Sequence, residues 1–524
     1  MNMETKLRKF HQAQWDEPLI FELTSPGERG ILIPEAELEV QQVAGTLENL
    51  IPASVRRKKA PELPELSQMH VLRHYMRLSQ MNMGADFTVD VGQGTCTMKY
   101  SPKINERYAN HPKLTALHPL QDESTVQGML ELTYNLEQYM KELSGLDRFT
   151  FQPGGGSQAI LAMTSICQAH FEAKGEAHKR DEIITTIFSH PSDAAAAAVK
   201  GYKIITLYQN ENGLPDLEAL KAAVSDRTAA LFITNPEDTG IYNPEIEEFV
   251  NVVHEVGGLC GYDQANLNGI IGITRAKEAG FDMSFFNLHK TFSAPHGCGG
   301  PAGGALGTTA ELSKYLPKPL VGFDGEKYVI ESDMKDSFGK VRNFMGVAPV
   351  ILKAYGWVRA VGVEGLIEAA KVAVLNNNYM LKHIREIQGA DASFGDGYRI
   401  EQVRYSWQQL YEDTGVTSED VSIRMADFGM HLWSSHHPFI VPQPFTIEPT
   451  EAYSKAELDE YLAVLRQVSK EAYADPQFLK KAPYNSCCHR INNQPLDDPE
   501  KWAITWRAYK KKWCEEELEN AELA

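Results

Sequence analysis

The stretch EIITTIFSHPSDAAAAAVKGYKIITLYQNENGLPDLEALKAAVSDRTAALFIT (182–234) decides the fold. EIITTIF (182–188), KIITLY (203–208) and AALFIT (229–234) are short apolar runs rich in β-branched residues, the pattern of buried strands. DAAAAAVKG and LEALKAAV lie between them and read as helices. Strands joined through helices of this length need crossover connections. These are right-handed and place helices over both faces of a mostly parallel sheet.

The same alternation extends in both directions. Downstream, the helical IEEFVNVVHEVG leads into a strand GLCGYD (258–263). Upstream, TVQGMLELTYNLEQYMKEL has apolar positions at helical spacing, and Ser124 is placed to cap it. The expected architecture is α/β, with a large doubly wound domain over 86–345 and a smaller C-terminal α+β domain over 346–485. Residues 1–85 read as an N-terminal arm whose Pro-rich linker passes into a helix near Glu65, and 486–524 as a tail with one helix. The helical run VAPVILKAYGWVRAVGVEGLIEAAKVAVLNNNYMLKHIREI is too long for one piece and is expected to bend near Gly362.

Charge and composition narrow the function classes. The net charge of −19 disfavours a nucleic-acid binder, which needs a basic face. No run approaches the roughly 20 apolar residues of a membrane-spanning helix. The first residues carry charges throughout, without the apolar core of a signal peptide, and the seven cysteines are scattered, so a cytoplasmic protein with reduced thiols is expected. Cys487-Cys488-His489 does not have the usual spacing of metal ligands, and no metal site is expected.

Five local features follow one another at strand ends, where open α/β sheets bind ligands. QPGGGSQA (152–159) has three glycines ahead of a helix. Gly155 and Gly156 let the backbone approach an anion, and Ser157 and Gln158 can add donors. It lacks the spacing of a dinucleotide fingerprint and the ending of a Walker A loop. His190, after the first strand, can lie flat on an aromatic ring, although a loop histidine is the blander reading. Asn235-Pro236 follows AALFIT, where a simple turn is the alternative.

Asp263 ends GLCGYD, where a buried carboxylate is costly unless paired; a protonated pyridine nitrogen would pair it. Ala265 and Asn266 follow. Lys290, within NLHKTFSAPHGCGG (287–300), has an apolar and Gly-rich setting that suits a reactive amine, and His289 and His296 flank it. A phosphate cradle, a ring stacker, a pyridinium partner and an imine-forming amine together describe a site for pyridoxal 5′-phosphate (PLP).

Over about residues 65–485 the chain resembles the glycine decarboxylase P-protein of the glycine cleavage system, in its split form, second (catalytic) subunit. TCTMKYSPKINE (95–106), HPLQ (118–121), YDQAN (262–266), NLNGIIGI (266–273), NLHKTFSAPHG (287–297), FGKVRNF (338–344) and IEPTE (447–451) carry the likeness. The resemblance implies fold type I of the PLP-dependent transferases, with Lys290 holding PLP as a Schiff base. It also implies glycine decarboxylation and transfer of the aminomethyl group to a lipoylated H-protein. The expected partners are an amino-acid substrate and either a homologous first subunit or a second copy of the chain.

His190 matches the family's ring-stacking histidine, and Thr97 and Lys99 lie in a loop expected to border the pocket. Arg342, Arg404 and Arg424 are the candidates for binding a substrate carboxylate. The chain departs from the family where AAGAHGE becomes GGGSQAI, putting Gln158 and Ile160 in place of a histidine and a glutamate. It departs again where SAHGTNPAS becomes SHPSDAAAA, YPLGSCTMKY becomes VGQGTCTMKY, and the Gly after Asp263 becomes Gln264. These changes are expected to cluster around cofactor and substrate. They leave open a different amino acid or amine, handled by decarboxylation, transamination or lyase chemistry without the H-protein.

Overall fold

The computed structural model describes residues 7–8, 10–46, 50–84, 89, 100–296, 300–432, 440–487, 490, 498, 502–503, 505–506 and 509–510. The chain divides into two compact units, Met1–Lys9 with Met83–Ala482, and Phe10–Asn82 with Pro483–Ala524. Most of the arm, residues 10–82, therefore falls in one unit with the tail, and its first nine and last three residues fall in the other.

In the larger unit a seven-stranded sheet runs in the order β1-β7-β6-β5-β4-β2-β3. Its strands are β1 (Arg148–Thr150), β2 (Glu182–Thr186), β3 (Lys203–Leu207), β4 (Thr228–Thr234), β5 (Leu259–Asp263), β6 (Met283–Asn287) and β7 (Gly304–Thr308). Strands β3, β2, β4, β5 and β6 are parallel, and only β7 runs against both of its neighbours. This is the expected doubly wound α/β sheet, and its central strands β4, β5 and β6 are buried almost end to end, as a sheet covered on both faces requires, while the edge strand β3 is mostly part-buried.

Alternate residues feed two cores. Ile183, Ala230 and Phe232 pack with the helix Gly156–Ala173, whereas Ile184, Leu231 and Ile233 pack on the other face against Leu136, Phe249 and Val253. Strand β7, GALGT, escapes a hydrophobicity reading because its glycines are packing devices. A Cβ on Gly307 would stand 2.3 Å from the ring of Phe149.

Two local expectations are corrected. Ser124 does not cap the long helix: Asp122 accepts the Ser124 N–H at 3.0 Å to cap a 3₁₀ turn, Glu123–Thr125, and the α-helix begins afterwards as Gln127–Ser144. In the smaller unit the arm helix is Gln68–Gln80, begun by Ser67 rather than near Glu65.

The long helix Ala348–Ile384 breaks at Gly362, with φ 66° and ψ 179°, as expected. Its first half joins the sheet's core through Val350, Ala354 and Trp357. Its second half joins a separate core through Met380, Leu381 and Ile384. That core is built on the antiparallel strands β10 (Asp391–Ala392), β11 (Val403–Ser406) and β12 (Pro444–Ile447). A short antiparallel hairpin, β8 (Leu320–Phe323) with β9 (Tyr328–Glu331), completes the strands. The helices Ser418–Ala426 and Lys455–Ala474 over this core each begin with a reciprocal capping box.

One contact joins the loop after β4 to the segment ahead of β11. Ile400 N–H donates to Gly240 O at 2.8 Å and Gln402 Nε2 donates to Glu237 O at 3.2 Å. Gly240 has φ +73°, and a Cβ there would lie 1.8 Å from the backbone oxygen of Gln402. Gly240→Ala is expected to cost at least about 2 kcal/mol through left-handed strain and displacement of this segment. Urea denaturation followed by circular dichroism measures it, and a loss within error of zero would contradict the contact.

Candidate active site

The carboxyl ends of the parallel strands border a cavity of about 560 Å³. Its first wall is Gly154–Gln158, between β1 and the helix Gly156–Ala173. Gly155 at the helix N-cap supplies no side-chain cap, so the first-turn N–H groups keep their capacity for an anion. Gln158 braces the loop, its Oε1 accepting the Gly154 N–H at 2.8 Å. Side chains are excluded here by close neighbours. A Cβ on Gly156 would lie 3.2 Å from Asn287 Nδ2, and one on Gly154 would lie 2.5 Å from the Arg342 guanidinium.

Asp263, the last residue of β5, is 3% exposed and accepts the Ala265 N–H at 2.9 Å. Burial pushes its carboxyl up to about 6, against the opposing pull of that N–H and of the Lys290 charge. Lys290 lies in the turn after β6 and is itself buried. Burial also pushes His289 down to about 3, leaving an uncharged ring that meets His296 edge-on at 4.9 Å. His190 is the N-cap of Pro191–Val199, and its Nδ1 accepts the Ser192 N–H at 3.1 Å, which leaves the ring proton on Nε2. Asp193, three residues on, is fully buried. Burial and the neighbouring Asp263 charge raise its carboxyl well above the usual range.

Gly155, Gly156, Ser157, Gln158, His190, Asp263, Ala265, Asn266, His289, Lys290, His296 and Arg342 all line this cavity. Asn235 does not. Its Nδ2 donates to Asn243 O at 3.1 Å and its Oδ1 accepts the Asn243 N–H at 2.8 Å, so both ends of the amide close its own loop. Thr97 and Lys99 lie outside the described residues, as does most of VGQGTCTMKY.

Of the three arginines, only Arg342 reaches the cavity wall. Arg404 is buried against Asp238 at 2.5 Å, and Arg424 is bound by Asp427 and Glu471, each at 2.8 Å. The departures from the family pattern do not all gather at the site. Gln158 lines the cavity, but Ile160 is buried in the core, and Gln264 turns away to accept the Ser284 hydroxyl at 2.8 Å.

Three wall residues have no motif to announce them: Asp238, Glu401 and Gln402. They arrive from the loop after β4 and the segment before β11, which only the tertiary fold brings together.

The arrangement fits PLP. The glycine cradle offers backbone donors that a Cβ would obstruct, and the raised carboxyl of Asp263 calls for a cationic partner such as a ring N–H. Without such a cation, a folded-state value of about 6 against an ordinary value of 3.8 makes ionised Asp263 destabilising. That carboxyl favours folding below about pH 4, and the contribution is lost as pH rises through 6. Cofactor-free Asp263→Asn is therefore expected to gain on the parent chain between pH 4 and 7, by about 2–3 kcal/mol. Thermal melts across that range would show it, and a constant difference at every pH would contradict it.

The sequence matches two known families, one described as aminotransferase class-V over residues 150–333 and one as glycine dehydrogenase, C-terminal domain, over 369–484. A probable glycine dehydrogenase (decarboxylating) subunit 2 from Pyrococcus horikoshii is 44% identical over 504 residues, covering 96% of this chain and 98% of its own. Its counterpart in Staphylothermus marinus is 37% identical, covering 96% and 99%. Among solved structures, a glycine decarboxylase (P-protein) of the glycine cleavage system in inhibitor-bound form superposes with a TM-score of 0.68 at 20% identity, covering 83% of this chain and 99% of its own. A Burkholderia pseudomallei sphingosine-1-phosphate lyase gives 0.60 at 14% identity, covering 81% and 94%. The fold is that of the fold type I PLP-dependent transferases, and PLP is a property of this family. On near-full-length identity to its relatives, this chain belongs to the glycine dehydrogenase (decarboxylating) subunit 2 family.

Proposed function

We propose that this chain is a PLP-dependent enzyme that decarboxylates glycine and passes the remaining aminomethyl group to a lipoyl carrier. The observation that carries the reading is one cavity containing a helix-N-terminal glycine cradle, the Asp263 carboxylate and the Lys290 amine. Bound PLP supplies an electron sink for the pair released when the bond to the substrate carboxyl breaks.

The chain's own residues do the rest. Lys290 holds the cofactor through its amine. The backbone of Gly155 and Gly156, with Ser157 and Gln158, receives the phosphate at the positive end of a helix. Asp263 would accept the ring N–H and keep that nitrogen charged, and His190 and Ala265 would border the ring. His289 adds an uncharged wall that does not compete for the substrate's negative charge. Arg342 binds the substrate carboxylate, with Asn266 and His296 beside it. The motif TCTMKY alone assigns Thr97 and Lys99 a substrate role. Asn235 acts on the cofactor only by holding the loop between β4 and Asp238.

The working division places cofactor binding in 86–345 and a substrate-facing wall in 346–485, with the arm (1–85) and the tail (486–524) given to subunit contacts. The relatives' designation as a second subunit supports a homologous first subunit as partner. An H-protein-like carrier follows from the transfer step, and a homodimer is the alternative assembly. Among the described residues no helix is long and apolar enough to cross a membrane, which suits a cytoplasmic enzyme.

Carboxyl-labelled glycine given to the PLP-loaded chain, with a first subunit and a lipoylated carrier, is expected to release labelled carbon dioxide. Lys290→Ala is expected to lose both the visible absorbance and this release, down to background. Release unaffected by Lys290→Ala, or spectral response to another amino acid and none to glycine, would overturn the assignment.

A further inference from the structure

From Asn235 to Gly240 the loop after β4 is buried at every residue except Asp238, which keeps 14% of its side-chain surface and lines the cavity. Its carboxylate is anchored by a residue that does not itself reach the cavity. Arg404, on β11 and 1% exposed, donates from Nη2 to Asp238 Oδ2 at 2.5 Å and lies 5.2 Å over the ring of Phe188. The guanidinium's Nε and Nη1 are buried and have no hydrogen-bond partner among the described residues, so Asp238 is the acceptor that holds it. Losing either partner would leave a buried charge unmet, which keeps the pair together.

The carboxylate's second oxygen is left over. Oδ1 makes no hydrogen bond among the described residues and, unlike Oε2 of Glu401, is not sealed from solvent. The pair therefore buries its cation and opens its anion on the cavity. Its negative field reaches Asp263 and Glu401, which line the same cavity, and acts to raise the carboxyl of each. An accessible carboxylate oxygen only accepts hydrogen bonds, so it calls for a cationic N–H donor and repels a second carboxylate.

We infer that Asp238 is a specificity-determining residue, its Oδ1 accepting from the ammonium group of the incoming amino acid while its charge turns away a ligand with a second carboxylate. This rests on the proposed PLP reaction for the identity of the substrate, but not for the sign of charge that the wall prefers. Arg342 draws the substrate's one carboxylate from elsewhere on the cavity wall, so the two side chains together read a zwitterion. The substrate class is an amino acid with a neutral side chain or none.

The test compares two ligands that differ by one charge: glycine, and aminomalonate, which is glycine with a second carboxylate on its Cα. In the PLP-loaded chain, titration of the visible spectrum is expected to show tighter binding of glycine. Asp238→Asn removes the charge and keeps an oxygen for Arg404, and is expected to narrow the gap between the two ligands at least about tenfold. Asp238→Asn combined with Arg404→Gln leaves no buried cation unpaired, and is expected to narrow the gap as well, whether or not the single variant folds. Asp238→Glu keeps the charge, and is expected to keep the gap within about threefold. A gap unchanged in the variants that lack the charge, or lost equally in Asp238→Glu, overturns the inference.

A second measurement needs no cofactor. Saturation-transfer NMR on the cofactor-free chain is expected to detect bound methylammonium, with the signal falling at least about threefold in the variants that lack the Asp238 charge. An equal signal from parent and variants counts against Asp238. A chain that takes up no PLP yet shows this fall would sink the proposed reaction and leave the inference standing. Glycine decarboxylation with an unchanged gap would do the reverse.

Discussion

A carboxylate sealed at the end of a central strand has to meet a positive charge or give up its own. Asp263 is in that position: buried, answered by one backbone N–H, and raised by its surroundings. Burial also raises the carboxyls of Asp193 and Glu401 well above the usual range and pushes Glu237 up to about 8. Such a neighbourhood concentrates the demand for a cation on one group next to Lys290, so the direction of polarisation in the cavity is built in before any ligand arrives.

The parallel sheet is legible because its strands are continuous apolar runs separated by helices, and burial on both faces leaves no polar alternation to blur the signal. Asp263 is legible for a related reason: it ends a strand, so locating the strand locates the residue. The glycine turn and Lys290 are legible instead from their own local composition. Strand β7 is illegible because its glycines serve rings such as Phe149 on a neighbouring strand, and no local pattern encodes that service. Ser124 misleads because the chain first makes a 3₁₀ turn capped by Asp122, and the α-helix starts after it at Gln127 with no side-chain cap.

The cavity's remaining wall is the least legible part. Asp238, Glu401 and Gln402 carry no motif, and they come together only because Gly240 lets the loop after β4 meet the segment before β11. The substitutions relative to the family illustrate the same limit from another side. Ile160 and Gln264 fall inside motifs yet point into the core or toward Ser284, so nearness in sequence to the glycine turn or to Asp263 does not place a residue at the cavity. The arginines are likewise sorted by their partners: two are held by acids, and one is left at the wall.

Gly362 interrupts a helix that belongs to two cores, and nothing lies within 4 Å of where its Cβ would be. Glycine is required there by dihedral preference alone, not by crowding. The sheet's core continues past the break through Leu366 and Ala370, and the core on β10–β12 takes over only from Met380. The glycine therefore turns the rod within the reach of the sheet's core rather than at the seam between the two cores, and one covalent helix ties both cores together.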